Sequence, residues 1–209
     1  MALRLAESES ANYSLPAQGT HLARCIMVCD LGYQKTTFGP KLQVRVAFEL
    51  LKSTYETGEG EVKPHVIGQN YTNSSYEKSN LMKHLSSWLG DEVTRAGTDE
   101  FDLLMVVGRP CMVNVIHNQS GDKTYANIAS VVALPEGVEC PEAVNELIQY
   151  STEDHDDIQF SKLPDWLKEK VNREGISAVD PTAPHPNSQH PSGPAPGPDL
   201  ADYDDKVPW

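Results

Sequence analysis

Tyr33, Lys35 and Phe38 crowd into the short stretch between Gly32 and Gly39, with Lys41 and Arg45 just beyond and Tyr71, Lys123 and Tyr125 further along the chain. Aromatic rings offer flat faces on which bases stack, and cationic side chains follow a phosphate backbone, so this combination is chemistry for holding a single strand of nucleic acid. Each residue also has a plainer use. Tyr71 and Tyr125 would serve as packing residues of a β structure, and Lys35 or Lys123 as solubilising loop charges. Phe38, between Thr37 and Gly39, is the hardest to place in a core. Tyr76, Lys78 and Lys83 fit the exposed side of a helix and are left out of this set.

Catalytic chemistry finds little footing. The chain has no nucleophile elbow, HExxH, phosphate loop or GxGxxG. Asp99, Glu100 and Asp102 could in principle hold a divalent cation, but acids at the start of a helix are accounted for by the helix dipole. Cys25, Cys29, Cys111 and Cys140 lack the spacing of a metal site. On one strand, Cys25 and Cys29 are expected to share a face and pack as small hydrophobes. The reading is a protein that is not an enzyme and has no cofactor or metal.

The net charge of −13 is unevenly spread. Residues 1–134 hold 12 Lys/Arg and 14 Asp/Glu, a net of −2, whereas residues 135–209 hold 5 and 16, a net of −11. The acidic total therefore does not exclude a basic surface on the first part, since local clusters set the local field. Residues 178–200 carry seven prolines and no Lys or Arg. Such a segment cannot bury enough apolar surface to fold, and is expected to be a disordered tether reaching roughly 70 Å if fully polyproline-like. It leads to Asp202, Asp204 and Asp205, then Pro208 and Trp209, an acidic tip ending on an aromatic ring. That pattern reads as a protein-docking peptide. With no apolar leader and no bilayer-length apolar run, the chain is expected to be soluble and to reside in a reducing compartment.

The elements that must position these residues are legible in the periodicity. Residues 20–31 predict a first strand, and 41–51 a second, with Leu42, Val44, Val46, Phe48 and Leu50 on one side and Lys41, Gln43, Arg45, Ala47 and Glu49 on the other. Residues 32–40 form the loop between them. A third strand follows near 65–72. Ser74 to Glu77 has a capping-box pattern before Leu81, Leu85 and Trp88 at helical spacing, with Gly90 as the stop. A shorter helix is predicted after Thr98. Residues 110–117 and 123–134 predict two strands joined by a turn at 118–122, and 161–173 a further helix capped by Ser161. Three strands, a helix and two strands is the order of a mainly β, five-stranded OB-fold barrel with a helix between strands 3 and 4. The predicted organisation is an OB-fold DNA-binding domain at 1–134, an acidic extension and helix packed on the barrel at 135–175, and the disordered Pro-rich linker and docking tip at 176–209.

Two resemblances bear on this reading. The acidic, Pro-aromatic tip resembles the tail of bacterial and phage single-stranded-DNA-binding proteins, with Lys206 within the acid run and Trp209 where Phe is usual. Residues 20–25 leading to Asp30-Leu31-Gly32, the stretch 76–81, Gly108-Arg109-Pro110-Cys111 and Tyr125-Ala126-Asn127-Ile128 look like a family of small single-stranded-DNA-binding OB-fold proteins encoded by tailed bacteriophages. The resemblance implies coating of single-stranded DNA with little sequence preference during phage DNA replication or recombination, in the cytoplasm of an infected bacterial cell. It further implies recruitment of replication or recombination enzymes by the tip, and no membrane partner. The oligomeric state of the tetrameric bacterial proteins is not implied. The competing reading is an OB-fold interaction protein, or an acidic DNA mimic that inhibits a host DNA-processing enzyme.

Overall fold

The computed structural model describes residues 14–95 and 101–171. The polypeptide is mainly β. β1 (Gly19–Thr36) and β2 (Gly39–Glu56) form a long antiparallel hairpin, β3 (Val62–Thr72) pairs with β2, and β4 (Pro110–Ser120) pairs with the first part of β1. β5 (Lys123–Val132) continues from β4, giving the path β3-β2-β1-β4-β5, and the short β6 (Ile148–Tyr150) lies parallel to β1 at Met27–Cys29.

The sheet of six strands is open, because no ladder joins its end strands β3 and β5. α1 (Asn80–Leu89) packs against both, and the two strands also approach each other directly without forming a ladder. His84 accepts the Tyr71 hydroxyl from β3 on Nδ1, while Ser87 donates to the Val131 carbonyl of β5 and its own carbonyl receives Ala133 N–H.

The hydrophobic pattern explains two layers of core. The inner face of β1–β5 holds Val28, Val46, Phe48, Val113 and Val131, closed by Leu81, Leu85 and Trp88 of α1. Trp88 meets Phe48 edge-on at 5.6 Å and donates Nε1–H to the Pro110 carbonyl. The outer face of β1 and β2 is covered by the chain after β5. Ile26, Met27, Cys29 and Ala47 pack under Tyr150, Leu163, Leu167 and Val171, carried by β6, α3 (Asp157–Lys162) and α4 (Asp165–Lys170).

Several predicted boundaries shift for identifiable reasons. A register irregularity between Cys25 and Met27 changes the strand's parity, so Cys25 faces the inner core and Cys29 the outer one rather than sharing a face. Burial raises both thiols far above their usual range. Ser79, not Ser74, caps α1, its hydroxyl accepting Met82 N–H. Within the described part of the helix predicted at 161–173 lie the end of α3 and the whole of α4, separated at Leu163–Pro164. Leu163 precedes Pro164 and takes an extended conformation with ψ 143°, as the proline ring requires, and Asp156 rather than Ser161 caps the first. The helix predicted after Thr98 begins outside the described residues, and its second half is a 3₁₀ turn, Leu103–Val106, capped by Asp102. Among the described residues, no helix is long and apolar enough to cross a membrane.

Candidate nucleic-acid interface

The stretch 32–40, predicted as a loop, is mostly ladder. Tyr33 pairs with Leu42, Gln34 with Lys41, Lys35 with Pro40 and Thr36 with Gly39, leaving Thr37 and Phe38 as a two-residue turn. Gly39 closes it at φ +96°, a conformation side chains disfavour. The Thr36 hydroxyl accepts Phe38 N–H and donates to the Gly39 carbonyl, which fixes the turn from inside. Phe38 is thereby presented to solvent, 68% exposed, with the Lys41 ammonium 5.3 Å from its ring centre. An exposed ring carrying a cation is the arrangement that stacks a base and meets its phosphate.

Strand pairing distributes the remaining candidates. Cross-strand partners share a face, so Tyr33 and Lys35 lie on the side of Leu42, and Lys41 on the other. Lys35 is exposed and Tyr33 half-buried. Arg45 occupies the polar side of β2 as predicted, but that side is covered: Arg45 is 4% exposed, donates to Asn70 Oδ1, and lies with its guanidinium 4.8 Å from the Trp166 ring of α4. Gly68 makes room for it, since a Cβ there would stand 2.9 Å from Arg45 Nη2 and 3.2 Å from Ala47 Cβ. Tyr71 is likewise a core residue, with its ring edge-on to His84. Lys123 is exposed and Tyr125 half-buried at the β4–β5 turn, where Ser120 pairs with Lys123. By register that turn belongs to the Gly19 end of β1, whereas Phe38 belongs to the Thr36 end. The structure thus brings Phe38 and Lys41 together, leaves Lys35 on the opposite face of the same hairpin, and turns Arg45 and Tyr71 inward. Asp202, Asp204, Asp205, Pro208 and Trp209 lie outside the described residues.

Sequence reasoning misses a second feature. Beside the hairpin stem is a cleft of about 640 Å³ lined by Val28, Leu42, Val44, Phe101, Leu103 and Leu104 together with Tyr33, Asp30, Asp102 and Glu153. Asp30 accepts Gly32 N–H and the N–H and hydroxyl of Thr152, and Asp102 accepts Leu104 N–H. No Lys or Arg lines it. Asp102 stands out in the sequence only as one of several acids at a helix start, and nothing there places Asp30 or Glu153 beside it. Among the described residues, no group of three His, Cys, Asp or Glu is arranged to hold a metal ion.

The chain matches no protein-family model and no curated protein.

Proposed function

We propose that this chain binds single-stranded DNA through the tip of the β1–β2 hairpin, with Phe38 as the stacking face and Lys41 and Lys35 as phosphate partners. The observation that carries the reading is Phe38 itself, a ring 68% exposed on a hydrogen-bonded two-residue turn with an ammonium seated over it. A ring so placed loses apolar contact with water only when something stacks on it. The strand path supports the reading too: β1 meets both β2 and β4, and α1 falls between β3 and β4, as in an OB barrel that lacks its closing ladder.

On this reading the protein is a binding protein without catalytic groups, acting in phage DNA replication or recombination in an infected bacterial cell. Arg45 and Tyr71 hold the platform together rather than touch the strand, and the acidic segment 202–209 recruits a partner enzyme. The test is a mobility shift of the full chain with an unstructured oligothymidine at about 50 and 200 mM salt. Binding that weakens with salt is expected, because neutralised phosphates release counterions. No shift at either salt concentration overturns the reading.

A further inference from the structure

The cleft beside the hairpin stem combines features that select one kind of ligand. Its volume, about 640 Å³, lies within the range of small-ligand and peptide-side-chain sites. Its floor is apolar, from Leu42, Val44 and Phe101, and its rim carries the carboxylates of Asp30, Asp102 and Glu153. Two of those carboxylates are held by the protein's own backbone: Asp30 by Gly32 and Thr152, Asp102 by Leu104. Hydrogen bonds of this kind orient a carboxylate without neutralising it. Among the described residues none of the three is in an ion pair, so the rim keeps its negative field. Among the described residues they form no group arranged to hold a metal ion. Their sign also repels phosphate. An anionic rim over an apolar floor complements an extended ligand that alternates aliphatic and cationic groups.

We propose that the cleft is a docking site for a basic, leucine-rich peptide segment of a partner protein, with aliphatic side chains on Leu42, Val44 and Phe101 and Lys or Arg side chains on the rim. The site is separate from the Phe38 tip and does not depend on the nucleic-acid reading. Its occupancy would set a partner directly against the stem of the hairpin.

The experiment uses the full chain, labelled with ¹⁵N, and two synthetic probes: acetyl-Leu-Arg-Leu-Lys-Leu-amide and its acidic counterpart acetyl-Leu-Glu-Leu-Glu-Leu-amide. The basic peptide is expected to give saturable chemical-shift changes at Gly32, Leu42, Asn73, Leu104 and Thr152, and the acidic peptide none. Glu153→Lys combined with Asp102→Asn, which keeps the acceptor for Leu104 N–H, is expected to weaken the basic peptide about tenfold, and Phe101→Ser to weaken it similarly. Phe38→Ala should leave it unchanged. The floor variant separates a seated peptide from mere attraction to acids, and melting curves confirm that each variant is folded. Shifts confined to the acidic residues 172–209, an affinity indifferent to the rim and floor variants, or no saturation by about 1 mM peptide each overturn the proposal.

Discussion

Arg24 and Glu49 are paired across the β1–β2 ladder, and both spend their side chains on the same stretch of the chain after β5. Arg24 donates to the carbonyls of Cys140 and Pro141, and Glu49, fully buried, accepts Val144 N–H, Asn145 N–H and Asn145 Nδ2–H. One residue supplies donors and the next strand's partner supplies acceptors, so the pair acts as a clasp that starts the extension across the outer face. Arg24 also reaches the Gly108 carbonyl, tying in the entry to β4. Removing Glu49 leaves the N–H groups of Val144 and Asn145 without their acceptor, a cost of about 1–3 kcal/mol together because both residues are exposed to water. Glu49→Ala is therefore expected to lower stability by about 3 kcal/mol and Arg24→Ala by about 2 kcal/mol in urea titrations. Once one half of the clasp is gone, the other holds a loosened segment. The double variant should lose less than the two costs added together, a coupling that a double-mutant cycle reads directly. Strict additivity would show that the two residues anchor the extension independently.

On the proposed function, the exposed hairpin tip and the covered outer face give Phe38 and Arg45 different roles. Phe38→Ala is expected to weaken oligothymidine binding by roughly 1–3 kcal/mol with little change in the salt slope, and Lys41→Ala to reduce the log–log slope by about 0.7. Arg45→Ala removes the group packed on Trp166 and should lower the melting point while leaving affinity close to that of the parent. Gly68→Ala, which pushes on Arg45 and Ala47, should behave like Arg45→Ala and cost about 1–3 kcal/mol by overpacking. Fluorescence anisotropy beside thermal melts decides the matter. If Arg45→Ala abolished binding in a folded protein, the strand would have to cross the outer face.

Periodicity governs how much of this fold is legible in the sequence. Alternation in β2 correctly separates Val44, Val46 and Phe48 from Arg45, Ala47 and Glu49, because side chains on a strand switch faces at every residue. Alternation says nothing about what covers the polar side, and Glu49 is as buried as Leu50. A signal is present in β1, where residues 22–29 run through Leu22, Ala23, Cys25, Ile26, Met27, Val28 and Cys29 almost without a polar break. Such a strand is apolar on both faces and calls for cover on each. Open or closed topology is not legible either, since it turns on whether β3 and β5, which approach each other, also form a ladder. The cleft is assembled from β1, β2, the 3₁₀ turn and the residues after β6, segments distant in sequence with no shared motif.

His84 of α1 is expected to make the stability of this end of the sheet depend on pH. Burial holds its pKa below the ordinary imidazole value, with a hydrogen bond to the Ala129 backbone pulling the other way and Lys83 adding to the lowering. The Tyr71 hydroxyl completes its surroundings. Well above pH 6.5 the ring is neutral folded and unfolded, and its full contribution is present. As pH falls below that value the unfolded chain takes up the proton first, so stability drops until the folded-state pKa is passed. His84→Gln, which keeps a donor and an acceptor, is expected to have a flatter loss of urea midpoint between pH 7.5 and 5.5 than the parent. Equal slopes in the two proteins would show that other groups govern the pH dependence.

The acidic end of the chain and the lysines of the hairpin tip are opposite in charge. Residues 135–209 carry a net of −11, and the stretch beyond the described residues holds Asp202, Asp204 and Asp205 close to Trp209. On the proposed function, these carboxylates compete with phosphates for Lys35 and Lys41, and an aromatic ring competes with bases for Phe38. Tethering raises the local concentration of such a competitor to millimolar order, so a weak contact suffices. Removing residues 177–209 is therefore expected to tighten oligothymidine binding, most at about 20 mM salt, and to uncover binding to duplex DNA. Simple long-range repulsion predicts a different course, because screening over about 8–10 Å erases it near physiological salt. A direct contact retains part of its effect there. Titrating intact and truncated chains from about 20 to 200 mM salt distinguishes the two. An identical affinity at every salt concentration would falsify competition and leave the acidic segment with partner recruitment alone.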